Sequence, residues 1–425
     1  MPTWEFVLGG IYTVGVAAVT RYHALAGAPF TDPTESLSQT KVYSSYTWAN
    51  LYVVCTTASG GDFTLRSRIG AAFGNMIITI TTTTGIFQDT VNTDSLVDGN
   101  LIDLEVKKLV NGTHTITLVG STLQDTGTNI TLQVAKAQEV AAFAIVFGLT
   151  RFAGIGGVLG ANGTPGMSTT EAPVQITIRR GTTYSNMRIA LETNSLDTAT
   201  TWSFRVDLAN GAQTISIGAG LTGAFEDTTN SDIVAVASEV NYQIDTTAST
   251  LGSFEPTLAQ LKHTSVGREM PNLQPVPAAR TVDAFWPPGG NDVSSLTEAD
   301  VQIAARAAFA AKNLFVNVKA HAAGGTGTDV FLRVDGVNSA LTVNVPSAST
   351  GVFEDTTNQV SVAVAVKYNY FGDVSVGGGS WTPSVISMEQ GPDDAISGGG
   401  KGYPSQMFNP RSRHARGWGR GLRVP

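Results

Sequence analysis

The chain has 425 residues, enough for two to four domains that each bury a core. It is rich in glycine (46 residues), and charged residues make up only 14% of it. These features favour β-structure with many turns over helical bundles. The net charge is −8, but six of the 26 basic residues lie from Lys401 onward without any acid, which leaves 20 basic against 34 acidic residues in the body. An acidic body argues against a protein that wraps nucleic acid.

The single cysteine, Cys55, excludes an intrachain disulfide framework and a cysteine-based zinc site. Residues 4–25 are apolar in places, but several glycines and Arg21 interrupt them and no basic segment precedes them. We therefore expect neither a signal peptide nor a membrane span. The expectation is a soluble protein that is made in a cytoplasm and has no membrane partner.

A nine-residue motif occurs three times in the chain. It reads TGIFQDTVN at residues 84–92, TGAFEDTTN at 222–230 and TGVFEDTTN at 350–358, with six of nine positions identical in all copies. The copies start 138 and 128 residues apart. That period is too long for a solenoid repeat and indicates three small domains in tandem.

Other blocks recur at nearly constant distances before the motif. A Thr-Glu pair lies about 50 residues upstream, with its glutamate at Glu35, Glu171 and Glu298. A strand-like block follows, opened by Asn50, Asn186 and Asn313. A third block carries an arginine 18, 17 and 17 residues before the motif, at Arg66, Arg205 and Arg333. The constant spacing predicts that the same elements recur in each copy.

Short runs that alternate apolar and polar residues are typical of half-buried antiparallel strands. Such runs lie at residues 76–80, 214–217 and 341–345, each bounded by turn-forming residues. Residues 298–312 are alanine-rich, which favours a helix. The equivalent residues 171–178 are typical of a strand, so we predict mostly strand in both places.

The alignment of the copies predicts the domain boundaries. Repeat 1 covers residues 1–136, repeat 2 covers 137–265 and repeat 3 covers 280–390. A proline-rich linker at 266–279 separates the last two, because the three prolines of 270–277 favour an extended chain. A basic tail, residues 391–425, follows repeat 3.

The tail combines glycines, arginines and aromatic residues and is too short and polar to build a core. Its charges fit either nucleic acid or an acidic protein surface, and the acidic body and the short length of the tail favour the protein surface. A plain solvated tail is the third possibility. The residues that we expect to bind a partner are Arg411, Arg413, Arg416, Trp418, Arg420 and Arg423.

The acids of the motif have two interpretations. Asp89, Asp227 and Asp355 are equivalent and could meet on a common axis to hold Ca²⁺, which prefers oxygen ligands. We favour the alternative, in which Asp, Thr and Asn side chains bond to neighbouring amides in a turn. In that reading the motif phenylalanines plug the core, at Phe87, Phe225 and Phe353. We therefore predict no metal and no cofactor.

The repeated arginines also have two interpretations. Arg66, Arg205 and Arg333 could bind a ligand carboxylate or a sugar, but pairing across strands or across a domain boundary is the interpretation we favour. No nucleophile elbow, phosphate loop or dinucleotide fingerprint is present in the sequence. We therefore predict no enzyme and no catalytic residue.

The third copy, from Val330 to Tyr370, resembles repeated β-domains in structural proteins of tailed bacteriophages. Its strand layout is similar to the jelly roll of the tumour-necrosis-factor and C1q type. The resemblance implies an all-β chain of three tandem jelly-roll sandwiches. It also implies either a monomeric pseudo-trimer or a homotrimer with three stacked tiers.

The same resemblance implies a virion protein. The leading expectation is a capsid decoration (cement) protein on the head surface, whose partners are the major capsid protein or other virion subunits. The alternative is a head or tail fibre adhesin that binds host glycans through exposed aromatic residues. The candidates for that role, for which core packing is the other reading, are Trp202, Trp286 and Trp381. A glycan-cleaving enzyme is the third class.

Overall fold

The protein is seen in a computed structural model. It describes residues 3–14, 19–25, 34–108, 112–125, 129–136, 145–155, 157–159, 167–178, 181–264, 268–269, 272–273, 279–291, 295–305, 308–322, 327–374 and 379–391. Within these ranges the chain is almost entirely β, with three short 3₁₀ turns. The predicted all-β class is confirmed. No helix in the described ranges is long and apolar enough to cross a membrane.

The strands of repeat 1 form two antiparallel sheets. They are β1 (Thr3–Val14), β2 (Val19–His23), β3 (Thr40–Lys41), β4 (Tyr46–Ser59), β5 (Phe63–Ile69), β6 (Ala72–Ile80), β7 (Gly85–Leu96), β8 (Leu101–Lys108) and β9 (Thr113–Asp125), with a 3₁₀ turn at Glu35–Leu37. One sheet has the order β1-β9-β4-β7 and the other β2-β8-β5-β6, with β3 beside β8. Both sheets therefore combine strands that are far apart in the chain.

The next strands form two sheets of the same plan. They are β10 (Asn129–Lys136), β11 (Ile145–Val146), β12 (Thr150–Ala153), β13 (Gly157–Leu159), β14 (Ile176–Thr177), β15 (Thr182–Asn194), β16 (Thr200–Val206), β17 (Ala209–Ile217), β18 (Gly223–Val234), β19 (Glu239–Asp245) and β20 (Ser253–Thr264), with a 3₁₀ turn at Ala172–Val174. The orders are β13-β10-β20-β15-β18, with β11 beside β20, and β12-β19-β16-β17, with β14 beside β19. The β10–β13 pair is parallel.

The plan recurs once more in the remaining strands. They are β21 (Arg268–Glu269), β22 (Asn272–Leu273), β23 (Ala284–Trp286), β24 (Gly290–Asn291), β25 (Ile303–Ala304), β26 (Phe309–His321), β27 (Thr328–Val334), β28 (Val337–Val345), β29 (Gly351–Val362), β30 (Lys367–Val374) and β31 (Trp381–Gly391), with a 3₁₀ turn at Glu298–Asp300. The orders are β24-β22-β31-β26-β29, with β21 beside β31, and β23-β30-β27-β28, with β25 beside β30.

The alternating runs become half-buried strands, as predicted. In β6 the residues Met76, Ile78 and Ile80 are buried while their neighbours are exposed, and β17 and β28 have the same burial pattern. Successive side chains of a strand point to opposite faces, so one face enters the core and the other meets solvent. Where the structure describes residues 298–312 they form no α-helix, and the 3₁₀ turn is followed by the short β25 and the first residues of β26. The equivalent residues 171–178 hold a 3₁₀ turn and only the two-residue β14, so the prediction of mostly strand was wrong there.

Three separate clusters of buried apolar side chains fill the space between the sheets of each pair. Trp202, Trp286 and Trp381 are fully buried. Their burial confirms the core-packing interpretation, and these three residues lack the exposed rings that a glycan-binding role needs.

The structure moves two of the predicted boundaries. β10 lies inside the predicted range of repeat 1, but it pairs with β20 of repeat 2. β21 and β22 lie inside the predicted linker 266–279, but both pair with β31 of repeat 3. The reason is that each copy begins with a strand that pairs with its own last strand, as β1 does with β9. This opening strand carries no repeated residues, so the alignment missed it. The predicted tail, apart from Gly391, lies outside the described residues.

Candidate functional site

Apart from its first threonine, the nine-residue motif lies inside a long strand of each repeat. The predicted bonding of its aspartate to neighbouring amides is confirmed, but the predicted position at a turn between strands was wrong. In repeat 1 the pairing of β4 with β7 jumps from Ala49↔Thr93 to Leu51↔Asp89. Asn50 therefore lies opposite three residues of the motif, which makes a β-bulge. The same jump occurs at Asn186 and Asn313.

The asparagine opposite each bulge has left-handed backbone geometry. The φ angles of Asn50, Asn186 and Asn313 are +55°, +53° and +53°. Asparagine adopts this conformation more readily than most residues, because its short polar side chain can hydrogen-bond locally. The asparagine block and the motif are thus the two sides of one structural feature.

The motif aspartate is the hydrogen-bond acceptor that holds the bulge together. One carboxylate oxygen of Asp89 accepts the backbone N–H groups of Val91 and Asn92, at 3.2 and 3.0 Å. The other accepts the side-chain amide of Asn92 and the backbone N–H of Ile77, both at 2.9 Å. Asp227 and Asp355 make the equivalent bonds in their repeats.

Burial alone would raise the pKa of these carboxyls. The hydrogen bonds outweigh it, because they stabilise the charged form. They lower the pKa of Asp227 to about 2, and the pKa values of Asp89 and Asp355 also lie below the ordinary value. The three aspartates are therefore ionised in all but strongly acidic solution.

The bond from the motif aspartate to a neighbouring strand closes one side of each sandwich. Ile77, Thr214 and Thr342 lie on β6, β17 and β28, which are edge strands of their sheets. An edge strand presents unpaired N–H groups that can pair with another chain. A second aspartate caps the same edges in two repeats, where Asp94 accepts the N–H of Asn75 and Asp232 that of Ala212.

The three motif aspartates are each bonded to amides of their own repeat. Among the described residues, no group of three His, Cys, Asp or Glu side chains is placed to hold a metal ion. The calcium alternative therefore gains no support. Phe87, Phe225 and Phe353 are half-buried and pack at the margin of their cores, so they line the core rather than plug it.

The arginine of repeat 1 that matches Arg205 and Arg333 is Arg68, not Arg66. Arg68 pairs with Asp103 of β8, as Arg205 pairs with Asn241 and Arg333 with Asn369. Arg66 lies two residues earlier and stacks over Phe73, with 4.5 Å between the guanidinium carbon and the ring centre. The predicted equivalence of Arg66 was wrong, because Arg66 falls on the same strand at nearly the same spacing as the true match.

Each of these arginines forms a clamp with the repeated glutamate. Arg68 binds Glu35 through two nitrogens, both at 2.9 Å, and Arg205 and Arg333 bind Glu171 and Glu298 in the same way. Each also donates to a hairpin carbonyl three residues further along, that of Ala71, Leu208 or Gly336. The clamp joins the 3₁₀-turn region to the hairpin within one repeat, so it does not cross a boundary between repeats.

An aromatic ring completes the clamp in every repeat. The guanidinium carbon lies 5.6 Å from the ring of Tyr22, 5.6 Å from that of Phe152 and 5.7 Å from that of Phe285. A two-pronged ion pair over an aromatic face suits arginine and not lysine. The signal for this contact was already in the sequence, since glutamate and arginine are 33, 34 and 35 residues apart in the three repeats.

The segment after the clamp of repeat 1 docks on repeat 2, and we name this contact seam 1–2. Lys41 pairs with Glu226 at 2.8 Å, and the Tyr43 hydroxyl donates to the same carboxylate at 3.1 Å. Arg188 donates to the main-chain carbonyl of Gln39 at 2.9 Å. The side chain of Gln260 binds both the N–H and the carbonyl of Lys41, at 3.1 and 2.6 Å.

Equivalent positions make the other two contacts, seam 2–3 and seam 3–1. At seam 2–3, Asn317 of repeat 3 donates to the carbonyl of Ala172 at 2.9 Å, and Phe315 joins the core cluster of repeat 2. At seam 3–1, Tyr52 and Val54 of repeat 1 join the core cluster of repeat 3. The repeats therefore touch in cyclic order, 1 to 2, 2 to 3 and 3 to 1.

The central strand of each repeat explains how the ring closes. Leu51 and Val53 point into the core of repeat 1, while Tyr52 and Val54, which alternate with them, point into repeat 3. Five consecutive residues are buried at the same place in β4, β15 and β26. A strand buried on both faces is a continuous run rather than an alternating one. Lys41, Tyr43 and Gln260 of seam 1–2 were missed because they belong to no repeated block.

A comparison of the sequence with protein-family models and with curated proteins finds no match in either set.

Proposed function

We propose that the chain is a non-enzymatic structural protein of a virion, built from three jelly-roll sandwiches as a monomeric pseudo-trimer. The observation that carries the proposal is the cyclic contact of the three repeats through equivalent strand positions. A homotrimer brings three identical subunits together, and here one chain supplies all three.

The strand order supports the jelly-roll assignment. Lettering β1, β2, β4, β5, β6, β7, β8 and β9 as B to I in chain order gives sheets B-I-D-G and C-H-E-F. Two four-stranded sheets of this order are the plan of the eight-stranded jelly roll. The repeats at residues 129–264 and 268–391 have the same order.

The roles of the repeated residues support a structural function. The motif aspartates close strand edges, the arginines clamp a turn to a hairpin, and the residues after the bulge join neighbouring repeats. Each role stabilises architecture and none presents a reactive group to a substrate. Such a module is suited to decorate a particle, and we place it on the capsid head, bound to the major capsid protein or to other virion subunits.

The attachment site is proposed to be the basic tail. An arginine-rich segment is attracted to an acidic protein surface, and the attraction is screened by salt. We expect a chain truncated after Gly400 to bind purified capsid shells at least about tenfold more weakly than the full chain, a loss of roughly 1.4 kcal/mol. Co-sedimentation with shells measures the affinity.

A second variant separates charge from length. Replacing Arg411, Arg413, Arg416, Arg420 and Arg423 by Gln should weaken attachment as much as the truncation does. Equal binding of full and truncated chains would remove the tail from the proposal. Labelled protein found on tails instead of heads, or retention on a glycan array, would favour the adhesin alternative.

A further inference from the structure

The clamp of repeat 1 differs from the other two in the residues that surround its arginine. The position of Asp103 is Asn241 in repeat 2 and Asn369 in repeat 3. The position of Glu105 is occupied by Gln243 in repeat 2 and by Phe371 in repeat 3. Repeat 1 therefore carries acids where the other repeats carry neutral side chains.

Asp103 is a buried acid without a hydrogen-bond partner. Its side chain is 0% exposed, and neither carboxyl oxygen has a partner among the described residues. It faces away from the core, because its neighbours Ile102 and Leu104 on β8 both belong to the core cluster. A charged carboxylate in such a place is unfavourable, because nothing replaces the water it has lost.

The groups that act on Asp103 belong to the clamp. They are Glu35, Arg68 and also Glu105, which accepts a hydrogen bond from Arg68 at 3.1 Å. Asp103 in turn acts on Tyr22. Burial is the main cause that raises the pKa of Asp103, to about 9, with Glu35 and Glu105 adding to it and Arg68 opposing it. At neutral pH the side chain is therefore protonated and uncharged, like the asparagines of the other repeats.

The clamp of repeat 1 is coupled directly to seam 1–2. Glu35, the residue that Arg68 holds, begins the 3₁₀ turn Glu35–Leu37. Two residues of the same stretch, Leu37 and Gln39, offer their carbonyls to Thr257 and Arg188 of repeat 2. Any loss of the Arg68–Glu35 pair therefore loosens the residues that dock on the next repeat.

We propose that Asp103 is a proton-controlled latch on seam 1–2. When its carboxyl releases its proton to solvent, the new carboxylate competes with Glu35 for Arg68, and the segment 35–43 separates from repeat 2. Seams 2–3 and 3–1 have asparagine at this position and lack the latch. The proposal does not depend on the role of the protein in a virion.

The sign of the pH effect follows from the two states. Asp103 binds its proton in the closed seam up to about pH 9, whereas a solvated aspartate releases it near its ordinary pKa of 3.8. The open state thus binds fewer protons, and opening becomes more favourable by up to about tenfold per pH unit, until it levels off near pH 9. Burial lowers the pKa of His23 to about 3, so below about pH 6.5 a solvated His23 would bind a proton that the buried one does not. That difference makes opening more favourable as the pH falls, which is opposite to the effect of Asp103. The window from about pH 7 to pH 9 lies above the titration of His23, and within it the comparison with Asp103→Asn identifies the contribution of Asp103.

Amide hydrogen exchange of the full chain, corrected for the intrinsic pH dependence of exchange, tests the latch. Between pH 7 and pH 9 we expect protection of residues 35–43 and 186–190 to fall by up to about a hundredfold in the wild type. Asp103→Asn should abolish this fall. Residues 171–178 and 314–318, at seam 2–3, serve as the internal reference and should stay protected.

A transplanted acid provides the positive control. Asn241→Asp places a carboxyl opposite Arg205 and should add a pH-dependent loss of protection at seam 2–3 to the one at seam 1–2. The proposal is overturned if Asp103→Asn keeps the wild-type pH dependence, or if all three seams of the wild type lose protection together. If Asn241→Asp fails to fold, the comparison of wild type with Asp103→Asn decides by itself.

Discussion

The number of N–H donors around a buried aspartate decides its charge in this protein. The motif aspartates are ionised because amides surround them, and their pKa values fall below the ordinary value despite burial. Asp103 accepts no hydrogen bond from the described residues, and burial raises its pKa. The same residue type thus behaves in opposite ways, and the local supply of N–H donors decides which.

Replacement of Asp103 by Asn should stabilise the protein at neutral pH. Folding raises the pKa of Asp103 from 3.8 to about 9, and the Asn variant has no such group. The free energy of unfolding should therefore rise by up to roughly 4 kcal/mol at pH 7, since each pH unit between the unfolded pKa and pH 7 is worth about 1.4 kcal/mol. The gain should shrink toward zero as the pH falls to about 4, because both states then hold the proton. Urea unfolding at several pH values measures it, and equal stability of the two proteins at pH 7 would contradict the prediction.

The clamp residue Arg68 can be compared with Arg66, which lies on the same strand, β5. Arg68→Lys should lower the free energy of unfolding by about 1–3 kcal/mol, because lysine cannot hold Glu35 with two nitrogens while stacking on Tyr22. Arg66→Lys, two residues away, should change it by less than about 0.5 kcal/mol. Thermal unfolding of both variants distinguishes the clamp residue from its neighbour. A larger effect of Arg66→Lys than of Arg68→Lys would show that Arg66 is the equivalent of Arg205 and Arg333.

Among the elements, the edge strands β6, β17 and β28 rely on side chains of another strand to bind their backbone N–H groups. Their outward N–H groups are capped by carboxylates of the next strand in the chain, which joins the two sheets of a repeat along one side. The alternation of residues predicts these strands, but not which of them lie at an edge. Strand order comes from pairing between distant segments, and a local pattern does not record it.

Removal of the edge cap should make the protein self-associate. In the double variant Asp89→Ala, Asp94→Ala, the N–H groups of Ile77 and Asn75 lose their acceptors, and β6 becomes an open template for another chain. We expect faster aggregation under native conditions, measured by light scattering. Thr79→Ala, an exposed change on the same strand, is the control and should remain monomeric. A monomeric double variant would show that the cap is not needed for edge protection.

At the scale of the molecule, the three seams have different chemistry. Seam 1–2 contains an ion pair and a network of polar side chains, whereas Tyr52 and Val54 at seam 3–1 are packed among apolar residues. Arg188, Phe315 and Tyr52 occupy the same position in the three repeats, so no two seams are alike. Non-equivalent contacts favour one of the two possible cyclic orders of the repeats over the other.

Charge reversal tests the polar seam. Lys41→Glu places two like charges together beside Tyr43 and should destabilise the protein by about 1–3 kcal/mol, since the pair is partly buried. Adding Glu226→Lys should recover at least half of the loss, because the pair is restored in reverse. Denaturant unfolding of the single and double variants measures the coupling. Additive losses would show that the ion pair does not hold the seam.

The sequence by itself determined the β class, the three copies of the motif and the positions of the strands that carry repeated blocks. These properties follow from residue type and from spacing along the chain, and both are visible without knowledge of the fold. Only the tertiary structure decided that Arg68 is the clamp residue, that the motif is a bulge closing an edge, and that the copies touch in a cycle. Each of these depends on strand pairing between residues far apart in the chain, where a shift of one residue turns a side chain to the opposite face.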